Sequence, residues 1–127
     1  MLHACALWTM LDPLGGLVAE NEDSWRIIHN DMRSYEDFGA VFAALPNSIE
    51  PLRIAFITTG GSASASELII NGLDPHLEVV LVGSETSGKA VGQRAFDLDA
   101  DACETRFRLI AFETHNGQGQ GGYYPGL

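Results

Sequence analysis

Ile54-Ala55-Phe56-Ile57-Thr58-Thr59-Gly60-Gly61-Ser62-Ala63-Ser64-Ala65-Ser66-Glu67-Leu68 is the stretch that decides the fold. Its first five residues form a continuous apolar run, the pattern of a strand buried on both faces. Gly60-Gly61 breaks the strand. Ser62 to Glu67 then leads into Leu68-Ile69-Ile70-Asn71-Gly72-Leu73, a helix of about ten residues that Gly72 is expected to end. Val79 to Val82 is a second apolar run, stopped by Gly83. Strand, helix and strand of these lengths predict a βαβ unit with parallel pairing and a right-handed crossover. The expected class is α/β, with a mainly parallel buried sheet.

Working outward, Phe96 and Leu98 alternate, as do Phe107, Leu109 and Ala111, which predicts two more strands. Upstream, Trp25 to His29 reads as a short strand. Ser34 looks like an N-cap with Glu36 and Asp37 in the first turn. Phe38, Val41, Phe42 and Leu45 then have helical spacing, with Pro46 closing the helix. Residues 4 to 11 read as a core helix ended by Pro13, Gly15 and Gly16. A chain that begins inside a helix reads as a piece of something longer. The close, Asn116 to Leu127, is a glycine-rich loop carrying Tyr123 and Tyr124.

The 127 residues suffice for one domain, and 46% hydrophobic content supports a packed core. A net charge of -10 disfavours nucleic acid and anionic membrane surfaces as partners. No transmembrane segment or signal peptide is legible. Cys5 and Cys103 leave one long-range disulfide or two free thiols open. No Cys/His cluster has metal-ligand spacing, so neither metal nor cofactor is expected.

Ser64 falls where a buried strand gives way to a helix. That junction places a side chain at the carboxyl end of a parallel sheet. The first amides of the helix point there without partners, so Ala65 N–H is a candidate oxyanion donor. The competing reading is a serine cluster that only caps the helix. The G-x-S-x-G elbow is absent. A serine nucleophile needs a base. His76 lies beyond the far end of the helix, roughly 15 Å away at 1.5 Å per residue. His29 and His115 remain open as bases.

Lys89 follows the second apolar run and is the only lysine among seven basic residues. Parallel strands put their carboxyl ends on one side, which brings Lys89 toward Ser64. A lysine base must be neutral, which calls for an apolar, water-poor pocket. Glu67, three residues after Ser64, shares its helix face and is a candidate to hold the Lys89 ammonium. Because an ionised Glu67 would also keep that ammonium charged, orientation by hydrogen bonding is the expected role. Gly83 to Lys89 reads G-x-x-x-x-G-K as well, but residue 90 is Ala, where a phosphate loop needs a hydroxyl, and a strand pattern follows.

Ser62-Ala63-Ser64-Ala65-Ser66-Glu67-Leu68, followed by Gly83-x4-Gly88-Lys89-x-Val91-Gly92-Gln93, resembles peptidase family S41, the C-terminal processing or tail-specific proteases. The 25-residue step from Ser64 to Lys89 and the terminal Gly122-Tyr123-Tyr124-Pro125-Gly126 fit that resemblance. It implies a crotonase/ClpP-like α/β core, a Ser64–Lys89 dyad with Glu67 as third polar residue, a polypeptide substrate and an extracytoplasmic location. Three features depart from the family. The D-x-R-x-N-x-G-G strand that supplies a second oxyanion donor has only a faint echo in Asp12 to Gly16. No PDZ-like domain is present, and the chain stops where related sequences continue. The expected function is serine endopeptidase cleavage by acyl transfer. An esterase on the same dyad and a non-catalytic binding or assembly module are the alternatives.

Overall fold

A computed structural model describes residues 23–43, 46, 51–97 and 105–127. The expected helix over residues 4–11, Gly15-Gly16, both cysteines, Leu45 and Leu98 lie outside them. The elements are β1 (Asp23–His29), a 3-10 turn (Asp31–Glu36), β2 (Phe38–Val41), β3 (Arg53–Thr58), α1 (Ala65–Leu73), β4 (Glu78–Gly83), β5 (Val91–Asp97) and β6 (Arg106–Asn116).

The expectation of an α/β core with a mainly parallel sheet is overturned. Among the described residues, four strands form an antiparallel sheet in the order β2-β1-β6-β5, and only β3 and β4 pair in parallel. The βαβ unit exists, with Ile54 opposite Val79 and Thr58 opposite Gly83. It is a two-stranded ribbon beside a larger antiparallel sheet. β3 is not buried on both faces either. Ile54, Phe56 and Thr58 turn inward while Ile57 is 88% exposed. α1 covers only the inward face, as the period of two in a strand dictates.

That inward face carries the apolar cluster of Phe42 and Leu73, with Ile54, Phe56, Ile69, Leu77 and Val79 packed against them. Each fully buried aliphatic side chain there contributes about 1.5–3 kcal/mol.

Residues 38–41 are a strand and not the expected helix. Phe38 pairs with Ile27, Gly39 with Arg26 and Ala40 with Trp25. The Phe38 ring meets Trp25 edge-on, with centroids 5.7 Å apart. Asp37 does not start a helix but accepts the His29 N–H at 2.7 Å. Gly39 and the β-branched Val41 favour helix poorly, so sheet pairing prevails over the apolar spacing.

The helix also runs one residue past Gly72, to Leu73. Gly72 is needed for closeness rather than termination, since a Cβ there would lie 3.2 Å from the Ser24 carbonyl oxygen on β1.

Candidate functional site

The turn between β3 and α1 meets the loop between β4 and β5, as expected for the two carboxyl ends of a parallel pair. Ser62 accepts the Ser87 N–H at 2.8 Å, and Thr58 Oγ1 donates to the Ser84 carbonyl at 2.8 Å. These bonds zip the two connections together below the site.

Ser64 caps α1 with φ 56° and ψ −105°, and among the described residues no other non-glycine has positive φ. Such backbone costs a non-glycine residue on the order of 1–3 kcal/mol and persists only where its surroundings hold it. What holds it is Glu67, whose Oε2 accepts the Ser64 N–H at 2.7 Å. The next amide, Ala65 N–H, has no acceptor among the described residues. It is the first amide of α1 and carries the partial positive charge of a helix N-terminus.

Glu67 has 0% exposure. Its carboxylate accepts four hydrogen bonds. Oε2 takes Ser64 N–H and Lys89 N–H (2.9 Å); Oε1 takes Gly88 N–H and Thr86 Oγ1–H, both at 2.6 Å. A buried carboxylate is tolerable because charge-assisted bonds from amides and a hydroxyl replace its water. Ser64 and Lys89 donate to the same oxygen, so their backbones stand within two hydrogen-bond lengths of each other. Ser64 and Lys89 are thus brought together at Glu67 through their backbone amides, and Glu67 grips the backbone of Lys89 rather than its ammonium.

The Lys89 side chain is exposed, not enclosed in an apolar pocket. The segment Glu85 to Ala90 is a loop whose burial alternates: Thr86, Gly88 and Ala90 are buried, Glu85, Ser87 and Lys89 exposed. The parity that seats Thr86 on Glu67 turns Lys89 to solvent. The same bonds dispose of the phosphate-loop pattern, because the Gly88 and Lys89 amides that would face a phosphate already serve Glu67.

The described histidines lie elsewhere. His29 is held by Asp37 (Nδ1 to Oδ1, 3.3 Å), His76 Nε2 is 3.2 Å from the Asp23 carbonyl oxygen, and His115 sits between Glu113 and the Gly119 carbonyl.

The model of the family described as "Peptidase family S41" matches residues 20–123. The chain belongs to peptidase family S41. Solved structures similar to this S41 chain include a Bacteroides fragilis S41 protease, at 22% identity and TM-score 0.77 over 94% of the chain and 32% of that protein. A Streptococcus agalactiae lipoprotein follows at 17% identity and TM-score 0.62, over 91% of the chain and 42% of that protein. The photosystem II D1 C-terminal processing protease is similar at 22% identity and TM-score 0.60, over 90% of the chain and 28% of that protein. These likenesses show the fold, and the S41 chain spans only about a third of the first neighbour's length. Among curated proteins no sequence matches.

Sequence reasoning missed the terminal segment as part of this site. Leu127 N–H donates to Thr86 Oγ1 at 2.8 Å, and Thr86 N–H to the Leu127 carbonyl at 3.3 Å. Gly88 has φ 75°, and a Cβ there would lie 2.0 Å from the Tyr124 carbonyl oxygen, so only glycine lets the segment in. Tyr123 is buried against Thr114, 2.9 Å from its hydroxyl. Burial pushes the Tyr123 phenol up; its bond to Thr114 opposes this, and the negative charge of Glu67 adds to it. Gly122-Tyr123-Tyr124-Pro125-Gly126 was the available signal, but nothing in its spacing indicates where the loop docks.

Proposed function

We propose that this S41 chain carries the nucleophile and base of a serine endopeptidase, with Ser64 attacking the scissile carbonyl and Lys89 accepting its proton. The observation that carries the reading is Glu67 Oε2, which binds the amides of both residues while Ser64 is held in a strained backbone state. Strain of this kind is kept where a side chain must project sharply from a strand–helix turn.

Attack by Ser64 Oγ forms the C–O bond and moves the carbonyl electrons onto oxygen. Ala65 N–H and the positive end of α1 face that oxyanion. Lys89 then gives the proton to the leaving amine as the C–N bond breaks. Water, deprotonated by the same amine, attacks the acyl carbon, and the proton passes to Ser64 Oγ as the acyl C–O bond breaks. Glu67 contributes by positioning. Because Lys89 is exposed, the bound polypeptide must exclude water from the ammonium before it can act as base. An extracytoplasmic location accompanies the family reading; one similar structure is that of a lipoprotein.

The exposure of Lys89 favours one second reading, a non-catalytic binding or assembly module built on the same fold. A fluorophosphonate probe separates the two. Covalent labelling of Ser64, lost in Ser64→Ala and in Lys89→Arg, supports the peptidase, since arginine retains its proton. A folded chain that stays unlabelled supports the binding module.

A further inference from the structure

We infer that Thr86 is a positioning residue for the Ser64–Lys89 pair, and that it acts through Glu67 under the control of the docked terminal segment. This rests on the peptidase reading above.

The Thr86 hydroxyl is buried and has two partners: it accepts Leu127 N–H at 2.8 Å and donates to Glu67 Oε1 at 2.6 Å. A hydroxyl has one proton. With a lone pair engaged by the Leu127 amide, the proton is directed at the carboxylate. The Glu67 carboxyl group is planar and rotates as a unit. Fixing Oε1 on Thr86 and Gly88 therefore fixes where Oε2 stands, and Oε2 sets the distance between the Ser64 and Lys89 backbones. Without the hydroxyl, Gly88 N–H alone holds Oε1, and the carboxylate is free to rock about that bond. A shift of the order of 1 Å at reacting groups costs up to about 10²-fold in rate.

Thr86 hydrogen-bonds to neither Ser64 nor the Lys89 side chain, so its effect on the pair passes through Glu67. It also gives the terminal segment a part in the site. Leu127 meets Thr86 through both its N–H and its carbonyl, and the Gly126 backbone lies against the Thr86 carbonyl, where a Cβ on Gly126 would come within 2.6 Å of that oxygen.

The test is the rate of Ser64 labelling by a fluorophosphonate in the full chain, normalised to the folded fraction. Thr86→Val keeps the shape and removes the hydroxyl; Thr86→Ser keeps the hydroxyl and removes the methyl. Thr86→Val is expected to label at least about ten times more slowly, and Thr86→Ser within about threefold of the parent. A purely structural role would track stability, and Thr86→Ser, which loses packing, would then be impaired as well. Equal labelling of Thr86→Val and the parent overturns the inference. If Thr86→Val does not fold, Leu127→Pro carries the test. It removes the N–H that orients the hydroxyl and is expected to slow labelling, and parental speed there overturns the inference. Failure of the underlying reading is distinct: an unlabelled parent, or labelling that survives Ser64→Ala, removes the peptidase assignment itself.

Discussion

Ser64 and Glu67 form one device in which a strained backbone is held by a buried charge. Ser64→Gly relieves the positive φ, whereas Ser64→Ala retains it. Ser64→Gly is expected to be more stable than Ser64→Ala by about 1 kcal/mol, read from urea unfolding midpoints. The opposite order would mean that the backbone at residue 64 is relaxed. Glu67→Gln replaces one acceptor oxygen with an NH2 group. That group then faces two donors, either the Ser64 and Lys89 amides or the Gly88 amide and the Thr86 hydroxyl. A loss of about 2–4 kcal/mol in unfolding free energy is expected. A loss below 1 kcal/mol would show that the carboxylate is not the clasp described here.

Among elements, the closing loop after β6 is tied at its outer end by Tyr124, whose hydroxyl donates to Glu113 at 2.5 Å, with His115 on the other carboxylate oxygen at 3.2 Å. Hydrogen bonds from Tyr124 and His115 hold the Glu113 carboxyl below the usual carboxylate range. A depressed folded-state value stabilises the fold above the unfolded value of about 4.3, and that contribution disappears as pH falls through the folded value. Tyr124 titrates in the opposite sense: its bond to Glu113 raises the phenol, so its contribution is lost as pH rises above about 10. Tyr124→Phe should therefore flatten the stability profile at both ends, measured by thermal unfolding from pH 3 to 11. A profile parallel to the parent's would show that the tether does not hold in solution. Gly88→Ala tests the inner end. Its Cβ cannot coexist with the Tyr124 carbonyl, so faster amide hydrogen exchange in residues 122–127 is expected.

For the whole molecule, the unequal faces of the β3–β4 ribbon are the feature that sequence reading did not anticipate. Ile57 and Phe56 are adjacent apolar residues with opposite environments. Phe56→Ala should cost about 3 kcal/mol, whereas Ile57→Thr should change stability by less than about 0.5 kcal/mol and lower self-association in sedimentation. Equal costs would mean that both faces of the ribbon are covered in solution.

Local chemistry was legible in the chain itself. The apolar runs at 54–58 and 79–82, the Gly60-Gly61 break and the helix behind Ser64 follow from patterns confined to a few residues, as does the parallel pairing of two strands joined by a helix. Spacing also placed Ser64, Glu67 and Lys89 at one end of that pair. Three matters were settled only by tertiary contacts. Phe38 to Val41 became a strand because β1 offered an open edge, and no property of those four residues reveals that partner. The larger sheet is antiparallel and joins both ends of the described chain because β6 pairs with β1, a pairing between segments far apart in the sequence. Lys89 faces solvent because Thr86 and Gly88 bind Glu67, which fixes which residues of the loop turn inward. A strand's sidedness depends on what lies across from it, and that is a property of the folded chain alone.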